Sequence, residues 1–239
     1  MNRGKREKRT PEEISARDLA EKEKALSDWV PKTELGKQVK SGKMTSIDEI
    51  FEKGLKVMEP EIMDSLLKLE DIVIDVAKTT RVVRAGRKFS YRAAILTGNK
   101  DGYIGIGTAK DVDRFPAINK AKRKARLNLK KINRGSGSWE EQPTEDKHSL
   151  PFKVVGKCAS VEVTLMPAPK GTGIAVGQNI RDVMILAGIQ NVWGKAKGRT
   201  SIKLNFVQAA IDALQKTVEM KSTKDIERKF RKWYYVCNN

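Results

Sequence analysis

The chain has 239 residues, of which 39% are hydrophobic and 33% are charged, and its formal net charge is +18 at pH 7. Its two cysteines and single histidine exclude a disulfide framework and a zinc finger, because neither cysteine has a second ligand at metal-binding spacing. No apolar run is long enough to span a membrane, and the charged N-terminus lacks the core of a signal peptide, so the expected compartment is the reducing cytoplasm.

The positive charge is concentrated in one part of the chain. Residues 78–134 contain 17 Lys and Arg against 3 Asp and Glu, a local excess of +14. Residues 43–77 reverse the balance, with 4 Lys against 9 acids, or −5. The length allows two modest domains, each with its own core. A charge excess confined to one folded segment favours a docking face for phosphates over general solubility.

The first 45 residues form a basic and charged extension. A cationic cluster at 3–9 is followed by the helix start Thr10-Pro11-Glu12-Glu13, and the helix beyond it consists mainly of charged residues and alanine. Such a segment has little to bury, so we expect an arm that orders on a partner. Ser46 and Glu49 form a capping box before a helix with one apolar face. That face comprises Ile47, Ile50, Phe51, Leu55 and Met58.

Residues 46–134 are predicted to form an RNA-binding α+β domain, in which acidic helices precede a three-stranded sheet and a helix. A short helix over 62–69 leads into the strands, and turns are predicted at Ala85-Gly86 and at 98–102. Strand-like segments lie at 71–77, 79–84, 88–96 and 103–108. Residues 115–134 then carry a single helical stripe of Ile118, Ala121, Ala125, Leu129 and Ile132.

A linker over 135–150, within a stretch rich in Gly, Ser, Pro and charge, separates this domain from a second one. Residues 151–220 are predicted to form a two-layer α/β domain, and residues 221–239 a basic C-terminal helix and tail. Strands are expected at 152–157, 160–165 and 190–195, and a helix is expected from about 179 to 187, closed by Gly188. A second helix is predicted to start at Thr200 or Ser201. Its apolar stripe comprises Leu204, Val207, Ile211, Leu214 and Val218.

The first candidate site is the segment from Lys78 to Arg92, which has six cations and no acid. Arginine binds phosphate in a bidentate manner, and a glycine turn lets the backbone approach it closely. We therefore predict that RNA is bound by Arg81, Arg84, Gly86, Arg87 and Lys88. Phe89 and Tyr91, two residues apart on one strand face, are further candidates for base stacking, although aromatics at such spacing more often pack in the core.

The helix that follows is the second candidate. Residues 120–134 contain eight Lys and Arg and no acid. An amphipathic basic helix lies either on a membrane surface or on nucleic acid. The small apolar side, with Ala121 and Ala125 and without Trp or Phe, favours nucleic acid. The candidate RNA-binding residues of this helix are Lys120, Lys122, Arg123 and Lys124.

Nucleotide binding and catalysis find no support in the motifs. Residues 102–107 have the wrong order for a dinucleotide loop, and Lys110 takes the place of its last glycine. The loop at 171–177 lacks the Gly-Lys-Ser/Thr of a phosphate loop, although its amides, Lys170 and Arg181 can favour an anion. His148 lies in the linker without a nucleophile to join it. The sequence therefore predicts no catalytic residues, no metal and no cofactor.

Two long segments resemble the family of the fifth small-subunit ribosomal protein. The segment VVRAGRKFSYRAAILTGNKDGYIGIGTAK with the following PAINKAKRKA is similar to its N-terminal domain, and VTLMPAPKGTGIAVGQNIRDVMILAGIQNVWGKAKG with NFVQAAIDAL to its C-terminal domain. The ordered match spans roughly 72–214. WVPKTELGKQV near Trp29 is similar to the archaeal and eukaryotic branch, and the missing Gly-Arg-rich extension favours the archaeal form.

The resemblance implies an N-terminal fold like that of double-stranded-RNA-binding domains and a C-terminal α/β unit. It implies a non-enzymatic ribosomal protein near the messenger-RNA entry path, with small-subunit ribosomal RNA and neighbouring small-subunit proteins as partners and an influence on decoding accuracy. By position, Arg81, Arg84, Gly86, Arg87, Lys88 and Phe89 match the RNA-contacting loop and strand of the family. Gly171, Thr172, Gly173 and Arg181 match the protein interface that affects accuracy.

Two alternatives stay open at this point. A free RNA-binding or assembly factor, acting on many duplexes, would share the basic face but would bind RNA without ribosomal neighbours. A nucleotide-dependent RNA enzyme would need a phosphate loop, which the sequence does not contain.

Overall fold

The computed structural model describes residues 27–136 and 147–219. The predicted N-terminal arm, the centre of the linker and the basic C-terminal helix lie outside the described residues. The chain divides into two compact units, Met1–Lys68 and Leu69–Asn239. Residues 46–68, predicted as part of the RNA-binding domain, therefore group with the first unit.

The first unit contains three short helices: α1 (Glu34–Lys40), α2 (Ile47–Glu52) and α3 (Pro60–Leu66). Its core brings together Val39, Ile50 and Ile62. The helix predicted from Ser46 starts as expected but ends early, so the prediction that Leu55 and Met58 belong to its buried face is wrong. Gly54 adopts a positive φ of 64° directly after α2, which ends the helix and leaves both side chains exposed.

Glu59 links the segment before α1 to the start of α3 through hydrogen bonds. Its carboxylate accepts hydrogen bonds from the Trp29 indole at 2.9 Å and from the amides of Lys32 at 2.9 Å and Thr33 at 2.7 Å. Burial raises the pKa of Glu59, but the hydrogen bonds from Thr33, Lys32 and Trp29 together outweigh it and hold the pKa below its ordinary value.

A lowered pKa in the folded state means that Glu59 stabilises this unit above the pKa of the unfolded chain, and that this contribution is lost as the pH falls through the folded value. We expect Glu59→Gln to cost about 1 kcal/mol at neutral pH, since it removes the charge that three donors share. Urea unfolding at pH 7 and at pH 3 should show the difference shrinking in acid. Asp28→Asn, at an exposed position just before Trp29, is the matched control and should leave the free energy of unfolding unchanged at both pH values.

The second unit begins with an antiparallel sheet in the order β1-β2-β3-β4. Its elements are β1 (Glu70–Val83), β2 (Gly86–Gly98), β3 (Tyr103–Asp111), α4 (Arg114–Leu127) and β4 (Leu129–Lys131). The two strands predicted at 71–77 and 79–84 are one continuous strand. The predicted helix ends at Leu127 instead of 134, because Leu129 pairs with Gly105 on the free edge of β3 and continues as a fourth strand.

Helix α4 lies close against the sheet. Its inner side chains, Ala117, Ala121 and Ala125, are fully buried. They face Gly107 on β3, where an added Cβ would come within 2.2 Å of the Ala121 carbonyl oxygen. Small residues on both elements thus set the helix-to-sheet distance, and the cations of α4 remain on its outer side.

The second sheet has the order β5-β6-β8-β7, with a helix layer on one side. Its elements are β5 (Val154–Cys158), β6 (Val161–Pro167), β7 (Ile174–Ala175), α5 (Gln178–Ala187), β8 (Val192–Lys197) and α6 (Lys203–Glu219). The predicted helix closed by Gly188 is confirmed, and Gly188 has a φ of 77°. In α6, Val207, Ile211 and Leu214 are buried, whereas Val218 is exposed.

The two sheets share a hydrophobic core, so the expectation of a separate core for each domain is wrong in part. Leu96 and Ile104 of the first sheet pack in the same cluster as Leu165, Met184 and Leu186 of the second. Only a smaller cluster, which includes Ile95, lies between the first sheet and α4. Both faces of β2 are therefore covered, which explains its continuous buried run from Ala93 to Gly98.

The ends of the predicted linker belong to this folded unit. Gly135 and Ser149 form a backbone bridge, and His148, Ser149 and Leu150 are buried. His148, which the sequence analysis assigned to the linker, therefore belongs to the folded unit. Its carbonyl accepts from the amides of Gln190 and Asn191, and its Nδ1 lies 3.0 Å from the Asn191 side-chain nitrogen.

Candidate nucleic-acid interface

The β1–β2 hairpin extends beyond the core that holds its base. Along β2 the side chains pass from exposed at Gly86–Phe89, through half-buried, to fully buried from Ala93 onward. Val82 near the tip is 73% exposed. Two strands without a packed layer gain little stability of their own. The tip is therefore a projection whose side chains are available on both faces.

The register sets the cations around this projection. Arg81 pairs with Lys88, and Val82 with Arg87. Since side chains alternate along a strand, Arg81 and Lys88 point to one face, and Arg87 to the other. Arg84 precedes Gly86, which has a φ of 125° at the turn. Cations thus surround the tip on three sides.

None of these tip cations has an acidic neighbour. In residues 27–136 and 147–219, no carboxylate lies within 4 Å of a charged nitrogen of Arg81, Arg84, Arg87 or Lys88. At the base, by contrast, Arg92 lies 3.8 Å from Asp75. Within the hairpin, the cations without a carboxylate nearby therefore lie at the tip.

Phe89 is not in the core, which corrects the expectation that it packs there. Its side chain is 49% exposed, and the Lys78 ammonium lies 4.0 Å from its ring centroid. The reason is that Phe89 lies beyond the end of the layer that covers β2. Tyr91, two residues on, is half-buried and packs against the Ala93 and Ile95 cluster.

The four candidate residues of α4 differ in their surroundings. Lys120, Arg123 and Lys124 are exposed on its outer side, and the Lys120 ammonium lies 4.0 Å from Asp111. Lys122 is half-buried, and its ammonium lies 3.5 Å from the Asp71 carboxylate. Lys122 therefore takes part in an internal ion pair.

Asp71 is a polar hub that the sequence analysis missed. One of its oxygens accepts from the buried Thr97 hydroxyl at 2.6 Å, and the other lies 3.4 Å from the buried Arg126 guanidinium. Asp71 lies opposite Thr97 because of the register between β1 and β2. In the sequence, β1 shows only the alternation of apolar and polar residues that is typical of a half-exposed strand. No signal in the sequence alone marks this cluster.

The second predicted site lies in the other half of this unit. Gly171 and Gly173 have φ values of 90° and 71°, and Thr172 lies between them in an open loop. The loop is held at one end, because the Gly173 amide donates to the side-chain oxygen of Asn191 at 2.9 Å. Arg181 is exposed on the first turns of α5.

Gly173 and Arg181 line one open cleft. The cleft also contains Lys100, Arg134 and Lys147, cations that the sequence analysis did not associate with this loop. Two of them are partly neutralised, because Lys100 pairs with Glu70 and Arg134 with Asp101. The fold thus brings Gly173 and Arg181 to one cleft, whereas Gly171 and Thr172 do not line it.

The described ranges hold no group of three or more His, Cys, Asp or Glu side chains arranged to bind a metal ion. Among residues 27–136 and 147–219, no helix has both the length and the apolar character needed to cross a bilayer. The fold and the candidate site together define a basic binding protein.

Comparison with known proteins specifies the family. The model of the ribosomal protein S5 N-terminal domain matches residues 69–133, and that of the C-terminal domain matches residues 156–229. The chain is 46% identical over 204 residues to small ribosomal subunit protein uS5 of Methanothermobacter thermautotrophicus, covering 84% of this chain and 94% of that protein. The protein of the same name from Staphylothermus marinus is 44% identical, with 84% and 94% covered.

The chain therefore belongs to the ribosomal protein S5 family, in its archaeal branch. This confirms the predicted resemblance and the α+β class, with a double-stranded-RNA-binding-like domain followed by an α/β domain. Family membership makes the chain a structural ribosomal protein of the cytoplasm and not an enzyme.

Proposed function

We propose that the chain is a structural constituent of the small ribosomal subunit that binds ribosomal RNA through the tip of the β1–β2 hairpin. The observation that carries this proposal is the projection of four cations beyond the core, with no carboxylate of the described residues within 4 Å of them. Charges of one sign held together at a thin projection favour a polyanion. Cations on both faces suit insertion between phosphate backbones, with Phe89 available for a base.

The outer side of α4 extends the same interface. Lys120, Arg123 and Lys124 provide further charge, and Tyr91 belongs to the base of the hairpin. Lys122 acts mainly within the protein in this proposal, because its ammonium faces Asp71. The affinity should then come chiefly from phosphate contacts, which depend on salt.

The loop at Gly171–Gly173 and Arg181 are proposed to contact a neighbouring small-subunit protein near the messenger-RNA entry path, and to influence decoding accuracy. The support is the family membership together with the open loop, in which an added Cβ at Gly171 or Gly173 would meet no atom within 4 Å. A contact at the rim of such an interface biases the balance between two subunit conformations more than it holds the subunit together.

A division of labour between the two sites is the expected result. Arg87→Ala should weaken RNA binding by about 1–3 kcal/mol, because it removes a charged hydrogen-bond donor to phosphate. Arg181→Ala should leave subunit assembly nearly intact but change codon misreading. The measurements are the RNA affinity, the yield of small subunits and a misreading reporter for each variant.

Lys203→Ala is the control, since Lys203 is exposed at the start of α6 but lies outside both sites. Loss of subunits with Arg181→Ala would contradict the proposal. So would altered misreading with Arg87→Ala when RNA binding is unchanged.

A further inference from the structure

The sheet formed by β5, β6, β8 and β7 has one covered face and one open face. On the covered face, a Cβ at Gly156 would lie 2.3 Å from the Ala213 amide nitrogen of α6. Val154 and Val163 point the same way and are buried. The intervening residues Val155 and Lys157 are exposed, so their face has no such layer in the described part of the chain.

The open face presents one aromatic ring beside a row of lysines. Trp193 on β8 is 44% exposed and lies opposite Met166 on β6. Lys195 and Lys197 follow on the same face at successive alternate positions of β8, and both are exposed. Lys157 lies on the far strand, opposite Glu162. We name the surface of Trp193, Met166, Lys195, Lys197 and Lys157 the open sheet face.

Glu162 on β6 lies opposite both Lys157 and Lys197, so three lysines share this face with one carboxylate and its charge is positive. Within residues 27–136 and 147–219, no carboxylate lies within 4 Å of the Lys157, Lys195 or Lys197 ammonium. The lysines are therefore available to an external anion. An indole ring at the end of the row offers a flat apolar surface of the size of a nucleobase.

This combination fits single-stranded RNA better than it fits a protein partner or the C-terminal segment of this chain. Lysine is depleted at the centres of protein–protein interfaces, where tryptophan is enriched, so three lysines around one ring argue against a protein. The C-terminal residues 221–232 carry six Lys and Arg against two acids, so they repel the lysines. A base stacked on an aromatic ring with its phosphates near cations is the usual arrangement for unpaired nucleotides.

We propose that the open sheet face binds a single-stranded RNA segment, with one base stacked on Trp193 and adjacent phosphates paired with Lys195 and Lys197. This site is separate from the hairpin and does not rest on the function proposed for it. Stacking on an indole tolerates any base, so the site should show little sequence preference.

The test uses the full chain and an unstructured RNA of roughly ten nucleotides containing 4-thiouridine, with the affinity measured across a salt series. Photocrosslinking should label the peptide that contains Trp193. Trp193→Ala should lower affinity by about 5- to 100-fold and abolish that crosslink, whereas Trp193→Phe should retain most of both. Lys195→Gln with Lys197→Gln should lower the salt slope by about 0.7 for each lysine.

Val218→Ala on α6 is the matched control, because its side chain is 43% exposed in the same domain. Far-ultraviolet circular dichroism should show that every variant is folded. Unchanged crosslinking and affinity with Trp193→Ala would overturn the proposal. If that variant instead enters subunits poorly while binding RNA normally, the face contacts a protein and the proposal is wrong. A hairpin variant that no longer binds structured RNA should still form the crosslink at the peptide that contains Trp193.

Discussion

Replacing Arg81, Arg84, Arg87 and Lys88 together by glutamine should lower the affinity for structured ribosomal RNA by on the order of a thousandfold at moderate salt. The four cations project beyond the core and have no acidic neighbour in the part of the chain that the structure describes, so each is available to one phosphate. Each lost phosphate contact should also reduce the slope of log affinity against log salt by roughly 0.9, the value for a DNA duplex. Filter binding across a salt series measures both quantities.

The control has the same change in charge at a different place. Lys37, Lys43, Lys53 and Lys56 are exposed in the first unit, and replacing all four by glutamine also removes four positive charges. If affinity depended on net charge alone, the two variants would bind equally weakly, and the hairpin proposal would fail. Thermal unfolding should be nearly unchanged in both variants, because these side chains are exposed and outside the core.

Asp71→Ala should be the substitution with the largest effect on stability, at about 3–5 kcal/mol. The change removes the carboxylate that Thr97 and Arg126 face in the interior of the second unit. A buried hydroxyl then loses its acceptor, and a buried guanidinium loses a carboxylate that lies 3.4 Å away. Urea unfolding monitored on the second unit measures the effect.

Asp75→Ala is the matched control, on the same strand. Asp75 lies 3.8 Å from Arg92, and both side chains are about one-third exposed, so we expect a cost of at most about 1 kcal/mol. The double variant Asp71→Ala with Arg126→Met should recover part of the loss, because it removes the buried charge as well. If Asp71→Ala lowers the free energy of unfolding no more than Asp75→Ala does, the stabilising role assigned to Asp71 is wrong.

Local pattern was sufficient for several parts of this structure. The start of α2 at Ser46 and the αL end of α5 at Gly188 depend on residues within a few positions of each other, which a sequence displays directly. The hairpin follows from a turn between two strand-like segments, and its basic character from composition alone. The resemblance that identified the family rests on the same linear order of residues.

Other features depended on elements that are distant in sequence. Residues 128–134 fit a helical stripe as well as a strand, and the free edge of β3 decided in favour of a strand at Leu129. Phe89 was expected in the core, but the extent of the layer over β2 leaves it outside. His148 was assigned to a linker, and its burial depends on pairing between Gly135 and Ser149 and on Asn191.

The sequence by itself determined the class of the protein, its charge distribution and the position of its basic hairpin, because these depend on composition and short-range periodicity. Only the tertiary structure decided which cations are available to a partner. Lys122 and Arg126 carry the same charge as Lys124 on one helix, yet the register of β1 brings Asp71 against the first two and leaves Lys124 exposed. Ion pairing depends on distance in space, which residues far apart in sequence acquire only when the sheet forms.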